Sequence, residues 1–254
     1  MVEGQPKVAV VTGGASGIGY AISQRLIAAG LSVVVADVNL EAAERAVQDF
    51  RRGGSQGLAV ALDVTNEASI ERARDQIHQR LGDVSYLVNN AGVGSAGTAL
   101  TTTTEEFRRI LEVNVMGPFL VSRAFLPDMI ARNWGAIVNV GSIAGTVGIR
   151  DRAAYSASKG AVLAFTRSLH ADFHQAGIRV NAVVPGTVET PWVERITAND
   201  PDPAAAIAKM AERQPIGRMG TPKEIAEAVW FLLSPENSFS YGSLLVVDGG
   251  MTAL

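Results

Sequence analysis

Val8-Ala9-Val10-Val11-Thr12-Gly13-Gly14-Ala15-Ser16-Gly17-Ile18-Gly19 joins an apolar run to a glycine turn, and Tyr20-Ala21-Ile22-Ser23-Gln24-Arg25-Leu26 continues it as a helix. A strand that runs through glycines into a helix start brings backbone N–H groups to the positive end of the helix dipole. The missing side chains let an anion approach them. The spacing Gly13-x-x-x-Gly17-x-Gly19 differs from the G-x-G-x-x-G dinucleotide fingerprint. A glycine turn alone is weak evidence, but here the flanking strand and helix make it a phosphate cradle. Thr12, Gly13, Ser16, Gly17, Ile18 and Gly19 are its candidate contacts.

Outward from this turn, short apolar runs alternate with helical patterns. Strands are expected at 7–12, 32–37, 57–63, 85–89, 136–140, 179–184 and 244–248. Helices are expected at 17–29, 40–51, 67–81, 104–130, 153–175 and 222–233. Runs such as Ser32-Val33-Val34-Val35-Ala36 are apolar without alternation, as in a parallel strand covered on both faces. The pattern predicts an α/β fold: a Rossmann-type doubly wound parallel sheet of about seven strands with helices on both faces. No linker, repeat or low-complexity stretch divides the 254 residues, so 1–254 is expected to be a single domain. The irregular stretch 185–220 carries Pro185, Pro191, Pro201, Pro203 and Pro215, with a short helix expected at 203–213. It is expected to form a substrate lid, at about 186–220, over the carboxyl edge of the sheet.

Composition excludes several classes of function. Hydrophobic residues make up 47% of the chain and charged residues 19%, enough apolar material for a substantial core. A net charge of −3 offers no general basic face, so no nucleic-acid partner is expected. The absence of cysteine excludes disulfides, thiolate catalysis and cysteine-ligated metals. His78, His170 and His174 are scattered; the last two share a helical spacing but lack a third ligand, and no metal is expected. No secretory leader is expected at residues 1–7. No uninterrupted apolar run approaches a membrane span of about 18 residues. A cytoplasmic protein without a membrane partner is expected.

The ends of the next strands point to the same ligand. Asp37 closes the second strand 18 residues after Gly19 (37 − 19), where an acid hydrogen-bonds both ribose hydroxyls of NAD and repels the 2′-phosphate of NADP. Asn39 is the better N-cap for the following helix, Val38 is not a basic residue, and Ser16 puts no cation into the turn. NAD is therefore the expected cofactor. Asp63 and Val64 close the third strand as candidate adenine contacts, with Thr65 or Asn66 better placed to cap the next helix. Asn90, Ala91 and Gly92 follow the fourth strand at the crevice where the strand order reverses.

A second motif supplies chemistry. Tyr155 and Lys159 are four residues apart and share one helix face. A free tyrosine has a pKa of about 10, too high for a base near neutrality. A nearby ammonium stabilises the phenolate, and the positive nicotinamide adds to the effect. Tyr155 then accepts the hydroxyl proton as hydride leaves carbon. Ser142, after the strand 136–140, is placed to hold the substrate oxygen.

These motifs, in this order, closely resemble the short-chain dehydrogenases/reductases, and the resemblance covers essentially the whole chain. The family's T-G-x-x-x-G-x-G is Thr12 to Gly19, its N-N-A-G is Asn89 to Gly92, and its serine and Y-x-x-x-K are Ser142, Tyr155 and Lys159. The resemblance adds Asn114 to the catalytic set, holding a water that links Lys159 to solvent. It implies that Tyr155 and Lys159 also touch the cofactor. It further implies that Pro185-Gly186, with Val188 and Thr190 after them, lie against the nicotinamide. It implies a homotetramer that pairs the long helices 104–130 and 153–175.

The substrate is less legible. Arg152 lies three residues before Tyr155, so a helix already begun there puts it beside the reacting hydroxyl, where it could grip a carboxylate; a solvated charge or a pair with Asp151 is the plainer alternative. The segment around Trp192 and Arg195 is similar to relatives acting on hydroxy acids, deoxy sugar acids and sugars, with Trp192 either stacking on a sugar or anchoring the lid. The expected activity is interconversion of a secondary alcohol and a ketone or lactone on a small polar molecule. Three rivals stand beside it. A 3-oxoacyl-carrier-protein reductase usually prefers NADPH, against which Asp37 argues. Nucleotide-sugar epimerase-like enzymes are usually longer and carry a different glycine turn. A non-catalytic NAD-binding regulator is expected to lose one of Asn114, Ser142, Tyr155 or Lys159, all of which are present.

Overall fold

The computed structural model describes residues 8–52, 57–198 and 200–254. Seven strands form one parallel sheet: β1 (Val8–Thr12), β2 (Ser32–Asp37), β3 (Gly57–Ala61), β4 (Tyr86–Asn89), β5 (Gly135–Val140), β6 (Ile178–Pro185) and β7 (Leu244–Val247). Their order is β3-β2-β1-β4-β5-β6-β7. The chain runs outward from β1 in one direction and from β4 in the other, so the carboxyl ends of β1 and β4 flank the crevice of a doubly wound sheet. The expected strands sit where the sequence puts them, within one or two residues at the ends; Lys7 lies outside the described residues.

β1 is buried along its whole length. Ala9 and Val11 face one core layer, and Val8 and Val10 the other, the two-residue period of a strand covered on both sides. The first layer packs the sheet against α1 (Gly17–Ala28), α2 (Leu40–Arg52) and α9 (Pro222–Leu233). The second packs it against α3 (Glu67–Leu81), α5 (Gly117–Ala131) and α6 (Ala153–Phe173). Burying each Leu, Ile, Val or Phe of these layers stabilises the fold by about 1.5–3 kcal/mol before entropy is counted.

The expected helix 104–130 is not regular. α4 (Thr104–Leu111) leads into a π-helical segment, Glu112–Met116, before α5 begins. A π turn inserts one residue and is commonest at functional sites; here it carries the buried Asn114. The run Thr104–Ala131 has the length and composition of a membrane span, which no uninterrupted apolar stretch announces. Half of its apolar window is buried, with Val121, Phe125 and Met129 in the second core layer.

The helix expected at 153–175 ends at Phe173 and tightens into a 3-10 turn, His174–Ala176. Between β6 and α9 the chain adds α7 (Pro191–Thr197), which the proline spacing does not foreshadow, and α8 (Pro203–Glu212). The two ends of this excursion are pinned together: Gly220 donates to the Thr187 carbonyl and Glu189 to the Gly220 carbonyl, each at 2.9 Å.

Candidate active site

A cavity of about 1060 Å³ runs along the carboxyl edge of the sheet. The glycine turn forms one end. Gly13 holds φ at +61°, a region that disfavours side chains. A Cβ on Gly19 would lie 2.1 Å from the Gly13 carbonyl oxygen, so the turn closes only without one. Ser16, at the N-cap of α1, makes no side-chain capping bond. The first N–H groups of α1 thus keep their donors for an anion. This cradle fits a dinucleotide phosphate.

Gly13, Ser16, Gly17, Ile18 and Gly19 line the cavity, as do Asp37, Asp63 and Val64. Asn90, Ala91 and Gly92 line it too, with Pro185, Gly186, Val188 and Thr190 on the far wall. Thr12 does not: it is buried behind the turn, where its hydroxyl accepts from the N–H groups of Asn90 (3.0 Å) and Ala91 (3.1 Å) and donates to the Val88 carbonyl (3.3 Å). It stitches β1 to β4 and supports the cradle from behind. Asn90 also braces the turn, since its amide donates to the carbonyls of Thr12 (2.9 Å) and Gly13 (3.0 Å).

Asp37 holds its carboxylate at the turn by accepting from Ala15 N (3.2 Å) and Asn39 N (3.0 Å). Asn39 caps α2 through Ala42 N, as the sequence suggests. Asp63 accepts from the backbone and hydroxyl of Thr65 (2.9 and 2.7 Å), and Asn66 caps α3. Both acids therefore keep local duties while facing the cavity.

Ser142, Tyr155 and Lys159 meet on the central wall. Ser142 caps the 3-10 turn after β5, accepting from Ala144 N at 3.2 Å. Lys159 Nζ donates to the Val140 carbonyl at 2.8 Å and lies 5.7 Å from the Tyr155 ring centroid. Burial lowers the Lys159 pKa to about 8. Burial raises the Tyr155 pKa, opposed by its hydrogen bond with Ser142 and by the Arg152 guanidinium. Burial outweighs both, so in this state the phenol's pKa stands above its ordinary value.

Asn114 lies just behind this wall. Its side chain accepts from Val93 N (2.8 Å) and donates to the Val93 carbonyl (2.9 Å) and to Ser158 Oγ (3.0 Å). A Cβ on Gly92 would lie 3.3 Å from Asn114 Oδ1 and 3.7 Å from Lys159 Nζ, which puts both groups on one side of Gly92.

The helix has not begun at Arg152, contrary to the premise that aligns it with Tyr155; it is the non-helical N-cap of α6. It reaches the cavity because the strand-like bridge between Gly97 and Arg152 fixes the loop. Arg152 Nη1 donates to the carbonyls of Ser95 (3.0 Å) and Asp151 (3.2 Å), and the guanidinium carbon lies 5.6 Å from the Trp192 ring centroid. Trp192 packs on Gly94 so closely that a Cβ there would meet its ring at 2.6 Å. Met210, Arg195 and Arg213 also line this end. Arg213 went unread because nothing around it marks a site.

The family model described as enoyl-(acyl carrier protein) reductase matches residues 13–252. The chain belongs to the short-chain dehydrogenase/reductase family. It is 43% identical over 249 residues to 2-(S)-hydroxypropyl-CoM dehydrogenase 3 of Xanthobacter autotrophicus, covering 98% of this chain and 97% of that one. It is 42% identical over 249 residues to cis-4-hydroxycyclohexanecarboxylate dehydrogenase of Sinomonas cyclohexanicum, with the same coverage. The crystal structure of L-sorbose reductase from Gluconobacter frateurii, complexed with NADPH and L-sorbose, superposes with a TM-score of 0.92 at 31% identity over 98% of each chain. This short-chain dehydrogenase/reductase is thus an oxidoreductase acting on CH–OH groups of small molecules with a nicotinamide cofactor.

Proposed function

We propose that this chain is an NAD-dependent dehydrogenase that interconverts a secondary alcohol and a ketone or lactone on a small polar substrate, a sugar, deoxy sugar acid or hydroxy acid. The observation that carries the proposal is one cavity with Asp37 at one end and Ser142, Tyr155 and Lys159 together on its wall. Its ends match the two halves of the reaction: nucleotide selection and proton transfer.

The bound nicotinamide supplies the hydride acceptor and donor. The chain supplies the rest. Ser142 Oγ holds the substrate oxygen against Tyr155, and Tyr155 Oη takes the hydroxyl proton in oxidation and returns it in reduction. Lys159, with a pKa of about 8, remains an ammonium at neutral pH and stabilises the phenolate as it forms. Asn114 is assigned the water that relays the proton from Lys159 outward. Asp37 selects NAD because a carboxylate meets ribose hydroxyls favourably and a 2′-phosphate unfavourably. Trp192, resting on Gly94 and Arg152, anchors the lid segment 186–220.

A homotetramer is proposed alongside, built through the helical run Thr104–Ala131 and α6; Met116 and Phe119 are large apolar side chains left exposed on the first. Sedimentation is expected to show tetramers, and a monomer alone at micromolar concentration would contradict this. We assign the enzyme to the cytoplasm, in keeping with a chain that needs no disulfide.

The test is reduction of NAD⁺ against NADP⁺ over a panel of sugars, sugar acids, hydroxy acids and simple secondary alcohols, followed at the nicotinamide absorbance. Faster turnover with NAD⁺ is expected. Turnover only in reverse, with NADPH and a 3-oxoacyl thioester, would replace this reading.

A further inference from the structure

We infer that Arg152 and Arg213 form a two-arginine clamp that selects substrates bearing a carboxylate or sulfonate away from the reacting carbinol. The inference rests on the dehydrogenase reading and names the substrate class of that same cavity.

Arg152 is held at one edge only. Its Nη1 is engaged by two backbone carbonyls and its central carbon lies over the Trp192 ring, while Nε and Nη2 make no hydrogen bond among the described residues. A planar fork fixed on one side presents its remaining donors in a set direction, the geometry that suits a two-oxygen anion. Arg213 lines the same cavity from the other side of the sequence excursion, directly after α8. A cation at a helix C-terminus is ordinary. What distinguishes Arg213 is that its charge reaches Arg152: after burial, Arg213 is the strongest influence lowering the Arg152 pKa.

Neither arginine has a carboxylate partner within salt-bridge distance among the described residues. By contrast, Arg25, Arg123, Arg132 and Arg218 are each paired with an acid. Two guanidiniums lining one cavity within each other's field repel, and an anion bound beside them offsets that repulsion. Arg195, unpaired among the described residues, adds a third positive charge to the same end. The acids on the cavity wall are elsewhere: Asp37 at the end of β2, Asp63 in the turn after β3, and Glu112 close in sequence to Arg108 and Arg109. Arg152 belongs to the loop before α6, held by its bridge to Gly97, and Arg213 to the excursion between β6 and α9, so an anion held by both ties the two together.

The test compares cis-4-hydroxycyclohexanecarboxylate with its methyl ester, and 2-hydroxypropane-1-sulfonate with cyclopentanol, as substrates for NAD⁺ reduction. The wild type is expected to favour the anionic member of at least one pair, and which pair identifies the oxyanion. Arg213→Gln is expected to lower the anionic-to-neutral ratio of kcat/KM roughly tenfold to a hundredfold, the usual loss of a charged hydrogen bond. The loss should fall mainly on KM, as for a contact remote from the reacting atoms. Arg213→Lys should recover part of it. Calorimetric titration of cyclohexanecarboxylate into the NADH complex of Tyr155→Phe should give binding that weakens with salt and with Arg213→Gln. Equal use of anionic and neutral members in both pairs, or an equal loss on both in Arg213→Gln, would overturn the clamp while leaving the dehydrogenase standing. Absence of turnover with every alcohol and either cofactor would remove the dehydrogenase reading, and the clamp with it.

Discussion

Lys159 Nζ donates to the carbonyl of Val140 at 2.8 Å, tying the middle of α6 to the last residue of β5. That bond fixes the ammonium beneath the Tyr155 ring while leaving it in a poorly solvated place, and the depressed pKa follows from the desolvation.

The buried ammonium leaves a mark on stability against pH. The folded pKa of about 8 lies below the unfolded value of 10.5. Between these pH values the unfolded chain binds a proton that the folded chain does not, so this group's contribution to stability rises with pH there and is flat below 8. The full difference is on the order of 3 kcal/mol. Lys159→Met should remove it. Thermal unfolding across pH 7 to 11 should show a wild-type-minus-variant difference that climbs between pH 8 and 10.5; a flat difference would contradict the burial argument.

Asp37 has two duties, and the choice of substitution separates them. Its carboxylate receives Ala15 N and Asn39 N, so Asp37→Ala would disturb the glycine turn as well as the charge. Asp37→Asn removes the charge, keeps the side chain's shape and keeps an acceptor oxygen for one of the two N–H groups. The NADP⁺ to NAD⁺ ratio of kcat/KM should rise at least about tenfold, since juxtaposed like charges cost several kcal/mol. An unchanged ratio would leave Asp37 a purely structural residue.

Arg179 on β6 is buried and donates to the carbonyls of Leu233 (2.8 Å) and Ser234 (3.1 Å), with Asn237 also accepting. The Leu233 and Ser234 carbonyls close the C-terminal end of α9, where the helix itself supplies no N–H donor to them. Arg179→Met should lower stability by about 2–4 kcal/mol, because several buried acceptors lose their donor at once. Denaturant unfolding measures this, and a loss under about 0.5 kcal/mol would mean that water replaces the guanidinium.

How much of this was legible in the sequence varies from residue to residue. Strands such as β1 were legible because burial on both faces demands continuous apolar residues. The cradle was legible because only glycine tolerates the contact at Gly19. The π turn at Glu112–Met116 was not, since backbone winding of that kind answers to packing around Asn114 and leaves no period in the sequence. The bonds of the Thr12 hydroxyl to Asn90 and Ala91 were not legible either, because a motif gives the neighbours along the chain but not which side of the turn a hydroxyl faces. Arg213 was silent for a related reason: its significance comes from Arg152, 61 residues away (213 − 152) and brought near only by the fold.

Tyr155 moves the proton in a chain otherwise built to bind the nicotinamide cofactor. Tyr155→Phe tests it most directly, with two readouts on one preparation: NAD⁺-dependent oxidation of a secondary alcohol that the wild type turns over, and NADH binding by fluorescence titration. Turnover should fall roughly a thousandfold or more, within the range for removing a general acid–base, with the NADH dissociation constant changed less than about threefold. Turnover retained in Tyr155→Phe would contradict it.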